Sequence, residues 1–184
     1  MIEERRLIKE IAIPEGVTVE ISGKKVTIKG PLGELSKEIS DPTIFVEVKE
    51  NKLIIKPKKF SKKQKMMINT FYAHLNNMLK GVKEEFIYKL KICSGHFPMA
   101  TNIEGNILVV KNFFGEKVPR KAKILPNVKV QVKGDEVIVT GIDIEVVSQT
   151  AANIESCTSI KNRDRRVFQD GIWLMEKAGK KVGA

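Results

Sequence analysis

Apolar and polar side chains alternate in short runs along the first sixty residues. Val17, Val19 and Ile21 alternate with polar residues, and a turn at 22–24 leads into the apolar positions of 26–28. A further strand is expected near 35–39, followed by a second hairpin that pairs 45–48 with 53–55. This period of two is typical of half-buried strands and predicts antiparallel hairpins.

From residue 61 the apolar period changes to that of a helix. One stripe with spacings of 4, 4 and 3 is formed by Met67, Phe71, Leu75 and Met78. Ser61 with Gln64 fits a capping box at the start, and Gly81 fits the residue just past the end. We interpret the stripe as core rather than as a cofactor-binding face.

The second half of the chain repeats this order. Residues 105–116 follow the layout of 23–34, and residues 130–139 follow 46–55. An opening strand is indicated by alternation at Phe86, Tyr88, Leu90 and Ile92. A second helix, capped by Asp143, is indicated by Val147, Ala151, Ile154 and Thr158.

Strands grouped together and followed by a helix favour an antiparallel sheet over alternating βαβ units. The sequence therefore predicts an α+β protein of two tandem duplicated domains, 1–82 and 83–184. Each domain is expected to be a small antiparallel sheet with one helix packed on a face, and the second carries a basic C-terminal extension.

Composition points to an anionic partner. The net charge is +11 and the pI is about 9.6, which favours nucleic acid first and an acidic membrane surface second. The start of the chain has no apolar targeting pattern, and no apolar run is long enough to span a bilayer. Cys93 and Cys157 lie far apart and form no disulfide framework, so we expect a cytoplasmic protein.

Arginine is scarce and clustered. Three of the six arginines fall within 163–166, beside Phe168 and Trp173. Because a guanidinium fork matches a phosphate in two-point contact, this segment predicts a phosphate-rich partner. The predicted contacts are Lys161, Arg163, Arg165, Arg166, Lys177, Lys180 and Lys181. The last three are expected to form a tail that orders on binding, while Phe168 and Trp173 pack the segment against the sheet. The alternative is a solvated basic tail.

A second basic patch surrounds Phe113 and Phe114. Its predicted contact residues are Lys111, Lys117, Arg120 and Lys121. Basic side chains beside aromatic rings suit RNA, whose unpaired bases stack, although both rings could equally belong to the core. A lysine run over 56–65 is interpreted as a solvated face or as a further contact surface.

Catalytic and metal chemistry are poorly supported. Cys93 and His96 have a spacing that could supply two zinc ligands, with Cys157 or His74 in addition, or a nucleophile and its base. A second close ligand pair and a third catalytic member are both missing from the pattern. We therefore expect no enzyme activity, no metal and no cofactor.

Several stretches resemble the archaeal and eukaryotic branch of ribosomal protein six of the large subunit. The motifs are 88–91, 94–98 with its His-Phe-Pro, 112–117, 139–143, 149–155 and 166–172. The resemblance covers nearly the whole chain. Asn162, Arg165 and Trp173 stand where the family usually has glycine, proline and tyrosine; these exchanges keep the basic and aromatic character.

The resemblance implies a non-enzymatic component of the large ribosomal subunit in the cytoplasm. Family members bind large-subunit rRNA mainly through the second domain and its tail, near the sarcin-ricin loop and the landing site of translational GTPases. The implied partners are that rRNA, neighbouring ribosomal proteins and, transiently, those GTPases; neither a membrane nor DNA is implied. The rival hypotheses are a regulatory RNA-binding module acting off the ribosome, an enzyme using Cys93 and His96, and a membrane-surface protein.

Overall fold

The computed structural model describes residues 8–39, 41–49, 51–58 and 61–182, which divide into two compact units between Glu85 and Phe86. The sequence-based boundary lies three residues earlier, after Val82. Val82 is fully buried and its carbonyl accepts a hydrogen bond from Leu32 N–H at 3.1 Å. The connecting residues up to Glu85 therefore belong with the first unit. Lys59 and the first seven residues, part of the lysine run and of the chain start considered above, lie outside the described residues.

The strands of the first unit are β1 (Lys9–Ala12), β2 (Thr18–Ser22), β3 (Lys25–Gly30), β4 (Gly33–Glu38), β5 (Ile44–Lys49) and β6 (Lys52–Pro57). They form two antiparallel three-stranded sheets, in the orders β1-β6-β5 and β2-β3-β4. Alternation places Val26 and Ile28 of one sheet, and Leu53 and Ile55 of the other, at 0% exposure in a single core. The helix that closes this core is α1 (Lys62–Gly81).

The strands of the second unit are β7 (Phe86–Cys93), β8 (Ala100–Glu104), β9 (Ile107–Lys111), β10 (Arg120–Lys123), β11 (Val128–Lys133), β12 (Glu136–Gly141), β13 (Gly171–Lys177) and β14 (Lys180–Lys181). One sheet has the order β10-β9-β8 and the other β11-β12-β7-β13-β14. Tyr88, Leu90 and Ile92 point into the core, as their alternation predicted. The covering helix is α2 (Ile144–Cys157).

Both helices begin where the capping residues predict. Ser61 accepts from Gln64 N–H at 3.4 Å, and Asp143 Oδ1 accepts from Glu145 N–H at 2.9 Å. The end of α1 differs from the prediction. Gly81 is the last helical residue rather than a left-handed residue beyond it, and Val82 continues with right-handed geometry and donates to Met78 O at 3.0 Å.

The α+β class and the tandem duplication are confirmed. Within each unit the strands are divided between two small sheets, a division that hairpin patterns alone do not reveal. In the part of the chain that the structure describes, no helix has both the length and the apolarity needed to cross a lipid bilayer.

Candidate nucleic-acid interface

The basic segment between α2 and β13 folds as a tight turn around Asp164. The amide N–H groups of Val167 and Phe168 donate to Asp164 O at 3.1 and 2.9 Å. Asn162 precedes the turn with a left-handed φ of 57°, a conformation that asparagine tolerates better than most residues. The local backbone is therefore built by short-range hydrogen bonds that leave the arginine side chains on the outside.

Arg163 is held by aromatic rings rather than by carboxylates. Its guanidinium carbon lies 4.9 Å from the ring centroid of Phe114 and 5.0 Å from that of Phe168. The two rings meet edge to face with centroids 5.8 Å apart. Among the described residues, no hydrogen bond or ion pair uses the Arg163 side chain. Cation–π contacts with the two rings thus position the guanidinium while its N–H donors stay available.

Phe114 is presented by an unusual backbone. It lies in the left-handed region, with φ 51° and ψ 30°, which is costly for a bulky side chain. Phe113 beside it is buried, and the two rings pack edge to face with centroids 4.8 Å apart. The buried Phe113 anchors the turn, so that the Phe114 ring reaches Phe168 and Arg163.

Arg166 and Arg165 differ from Arg163 in their partners. Arg166 reaches Asp164 through Nε at 3.1 Å to each carboxylate oxygen and through Nη2 at 2.7 Å. Those hydrogen bonds raise the pKa of Arg166 and lower the pKa of Asp164. The pair is exposed, so it is weak and can exchange its carboxylate for a phosphate. Arg165 is exposed, and no hydrogen bond within the described part of the chain uses its side chain.

Arg120 has an internal role in this structure, in contrast to its place in the predicted phosphate patch. Its Nε and Nη2 donate to the two Glu116 oxygens at 2.8 and 2.7 Å. Its Nη1 donates to the carbonyls of Cys157 and Ser159 at 3.0 and 2.9 Å, at the end of α2. With Phe113 lying 4.2 Å beneath the guanidinium, this side chain caps a helix and joins it to β10.

The other three members of that patch are lysines on the surface. Lys111 Nζ lies 4.0 Å from a Glu104 oxygen, which is the limit of an ion pair. Lys117 and Lys121 are exposed. The patch thus presents the lysines as point charges around the aromatic turn, while the partly exposed guanidinium of Arg120 is engaged by Glu116 and by two carbonyls of its own unit.

Asp170 organises this region, although its place in the sequence gives no indication of that role. Its side chain is 3% exposed and accepts from the backbone N–H groups of Gly95 and His96, the latter at 2.8 Å. Its second oxygen contacts His96 Nδ1. Burial raises the pKa of Asp170, but these hydrogen bonds together outweigh it and hold the pKa below its usual value.

Asp170 joins the His96 loop to the aromatic cluster around Arg163. The imidazole of His96 packs against Phe168 with ring centroids 5.0 Å apart. Asp170 therefore fixes the loop, the loop supports Phe168, and Phe168 supports Arg163. The only sequence signal was the His-Phe-Pro motif at 96–98, because an isolated aspartate before a glycine gives no indication of a partner 74 residues away.

Among the candidate zinc and nucleophile residues, Cys93 belongs to β7, where its register partner is Gly171 of β13. His96 contacts Asp170, and burial raises the pKa of the Cys157 thiol to about 11, which keeps it protonated. Among the described residues, no three histidine, cysteine or acidic side chains gather in a way that could hold a metal ion.

The predicted basic tail is a β-hairpin instead. Lys177 ends β13 opposite Tyr88, and Lys180 and Lys181 form β14. Because Gly171 at the other end of β13 pairs with Cys93, the seven residues of this strand separate the lysines from the arginine segment by roughly 20 Å. The structure thus shows two basic clusters at opposite ends of one strand, not one continuous tail.

A family model and the full-length relatives of this chain agree on one family. A family model described as ribosomal protein L6 matches residues 13–85 and again residues 97–171, one segment in each unit. The large ribosomal subunit protein uL6 of Methanosarcina mazei is 48% identical over 176 residues, covering 94% of this chain and all of the relative. Its counterparts in Methanococcus vannielii and Aeropyrum pernix are 46% and 42% identical, covering 94% and 96% of this chain and 94% and 98% of their own lengths.

Proposed function

This chain belongs to the ribosomal protein L6 family and is a structural, non-enzymatic constituent of the large ribosomal subunit in the cytoplasm; we propose that it binds large-subunit rRNA mainly through its second unit. The observation that carries the proposal is the guanidinium of Arg163. It is oriented by two aromatic rings, unpaired within the described chain, and flanked by exposed basic side chains.

The proposed rRNA contact has a centre and a periphery. Arg163 forms the centre, because its orientation is fixed before binding and its fork suits a phosphate. Arg165, Arg166, Lys161 and Lys117 surround it as exposed charges. Lys177, Lys180 and Lys181 form a separate contact at the far end of β13, and Arg120 stabilises α2 rather than touching RNA.

Salt dependence of binding tests this arrangement. A transcript of the large-subunit rRNA region that contains the sarcin-ricin stem is titrated with the full chain at several salt concentrations. Arg163→Ala should lower the affinity and reduce the slope of log affinity against log salt by about 0.7–0.9, as expected for one lost phosphate contact. Lys24→Ala, an exposed charge removed from the first unit, is the control and should leave both unchanged.

The variant Arg163→Lys distinguishes the effect of guanidinium geometry on RNA affinity from the effect of the positive charge. We expect this variant to keep the salt slope and still lose affinity, since lysine is a point charge without a planar stacking surface. If Arg163→Ala and Lys24→Ala behaved alike, the centre of the contact would lie elsewhere.

We further propose that the second unit lies near the sarcin-ricin loop and the landing site of translational GTPases, with transient contact to those GTPases. The family resemblance supports this location. Cross-linking in intact subunits, with a photoreactive group at position 117, should give cross-links in the sarcin-ricin stem and its neighbouring helices. Cross-links confined to other rRNA regions would refute the location and leave rRNA binding intact.

Membership in the particle itself is tested by sedimentation. After a wash at about 0.5 M salt, where purely exposed electrostatic contacts weaken steeply, the chain should still co-migrate with the large subunit. Release into the light fractions would favour the rival hypothesis of an RNA-binding module that acts off the ribosome.

A further inference from the structure

The sheet that carries α2 in the second unit has a second side, which we call the outer face. Val137, Val139, Tyr88 and Leu90 point toward the core, so the residues between them point outward. The cross-strand register arranges the outer face in two rows. The first row is Lys133, Glu136, Lys91 and Trp173; the second is Gln131, Ile138, Lys89, Glu176 and Lys181.

The duplicated first unit offers an internal comparison, because its β5, β6 and β1 correspond to β11, β12 and β7. Its equivalent rows are Lys49, Lys52 and Ala12, and Glu47, Ile54 and Glu10. Here each lysine is paired on the face itself. Lys52 lies 3.2 Å from Glu10, and Lys49 lies 3.5 Å from Glu47. In these two rows the two lysines are balanced by two carboxylates, and Glu47 is also shared with Lys56 of the next row at 3.3 Å.

Two exchanges remove this neutralisation in the second unit. Gln131 stands at the position that corresponds to Glu47, and Lys89 stands at the position that corresponds to Glu10. In the other row Lys91 replaces Ala12, while Glu136 replaces Lys52 in the opposite sense. Lys89 is itself paired with Glu176 of β13 at 2.8 Å. The carboxylates that neutralise the first unit are therefore absent where β11, β12 and β7 present the same surface.

The remaining lysines of the outer face have no internal partner. No ion pair or hydrogen bond between described residues uses the ammonium groups of Lys91, Lys133 or Lys181. The one acidic side chain on the face outside the Lys89 pair is Glu136, among the residues that the structure describes. Three unpaired cations against one carboxylate leave this face positive.

Strands β13 and β14 add an apolar surface to this charge. Met175, the residue at the bulge of β13, is 49% exposed, and Val182 is 44% exposed. They line a groove of about 540 Å³ together with the lysines Lys89, Lys91 and Lys181 and the carboxylates Glu136 and Glu176. This volume is sufficient for one or two nucleotides, and the lining combines apolar side chains with lysines that outnumber the carboxylates.

The outer face is also continuous with the arginine segment. The indole of Trp173 lies at the end of the first row, and its N–H donates to Gln169 O at 2.9 Å. Gln169 belongs to the same turn as Arg163. Lys181 lies at the other end of β13, so the face connects the two basic clusters that β13 separates.

We propose that the outer face of the second unit binds an unpaired stretch of RNA, with phosphates on Lys91, Lys133 and Lys181 and bases against Met175, Val182 and Trp173. The inference rests on the proposed function and identifies the kind of rRNA that its second unit takes. An unpaired strand fits because its bases can lie flat on an apolar sheet, whereas the bases of an RNA duplex are stacked and inaccessible.

Trp173, the only tryptophan of the chain, provides a local readout. The full chain is titrated with a ten-nucleotide oligouridine, and with a ten-base-pair RNA duplex as comparison, at about 0.1 M salt. We expect the single strand to quench Trp173 fluorescence and to bind more tightly than the duplex. Lys91→Ala/Lys133→Ala should weaken single-strand binding about tenfold, and Lys91→Arg/Lys133→Arg should restore it.

Lys49→Ala/Lys52→Ala is the matched control, since it removes the same charge from the equivalent face of the first unit. It should bind like the wild type. If the Lys91/Lys133 variant also bound like the wild type while Arg163→Ala weakened rRNA binding, the outer face would be excluded and the proposed function would stand. If no variant of the second unit affected rRNA binding, the proposed function would fail as well.

One further outcome identifies a different partner. The competitor is polyglutamate. If it bound the wild-type chain through Lys91 and Lys133 and displaced the oligouridine completely at low concentration, the face would be assigned to an acidic protein segment. Failure of polyglutamate to displace the RNA supports the proposal.

Discussion

Asp170→Ala should destabilise the second unit by about 2–4 kcal/mol. The carboxylate accepts two backbone hydrogen bonds, from Gly95 and His96, and each hydrogen bond to a charged group contributes about 1.5–3 kcal/mol. Both donors belong to an exposed loop, so water satisfies part of what the mutation leaves unpaired, and the sum of these contributions is reduced accordingly. Asp170→Asn keeps an oxygen acceptor without the charge and should cost about 1–2 kcal/mol.

Urea unfolding at neutral pH, followed by Trp173 fluorescence, measures the stability of the second structural unit, to which Asp170 belongs. Trp173 lies on β13, three residues after Asp170, and is the only tryptophan. With a urea dependence of about 2 kcal/mol per molar, Asp170→Ala should lower the midpoint by about 1–2 M. The control is Glu104→Ala, whose exposed carboxylate is 4.0 Å from Lys111 and should shift the midpoint very little.

Two results would refute the reasoning about Asp170. If Asp170→Ala shifted the midpoint no more than Glu104→Ala, the loop hydrogen bonds would contribute nothing to stability. If Asp170→Asn were as destabilising as Asp170→Ala, the contribution would come from the side-chain contact with His96 Nδ1 and not from the backbone donors.

Three further predictions concern the same unit. The pKa of Asp170 is lowered in the folded state, so its contribution to stability is present above the ordinary aspartate pKa of about 3.9 and is lost as pH falls toward the folded-state pKa. Urea midpoints measured at decreasing pH should therefore fall less in Asp170→Asn than in the wild type. Arg120→Ala leaves two carbonyls at the end of α2 and the Glu116 carboxylate without their partner. Thermal unfolding should therefore show a free energy of unfolding lower by about 2–3 kcal/mol, while rRNA affinity stays the same. A loss of affinity in the folded variant would return Arg120 to the RNA contact. Gly141→Ala places a Cβ 2.8 Å from Val147 Cγ2 and should cost about 1–3 kcal/mol, and the double variant with Val147→Ala should be less destabilised than the two single effects summed.

Much of the fold could be predicted because its signals are local. Strand alternation placed Tyr88, Leu90 and Ile92 correctly, and side-chain caps placed the starts of both helices at Ser61 and Asp143. Such signals depend on residues within one or two turns of each other, where chain geometry alone decides which side chains share a face. The duplication was likewise readable, because both copies keep the same order of turns and strands.

The candidate site was predicted only in part. The cluster at 163–166 identified the segment, but not which arginine is oriented for binding. Arg166 and Arg163 have the same chemistry in sequence, yet Arg166 is paired with Asp164 two residues away and Arg163 makes cation–π contacts with two rings. The tail was predicted to order on binding, whereas pairing of Lys177 with Tyr88 makes it part of the sheet.

The sequence by itself determined the class of fold, the two repeats, the positive charge and the segment rich in arginine. Only the tertiary structure decided which of these charges are engaged by partners within their own unit, as Arg120 is, and which point outward. It also decided that Asp170 supports a loop 74 residues earlier in the chain. The physical reason is that a side chain's charge and shape are intrinsic, whereas its partner is set by strands and loops that meet only when distant segments pack together.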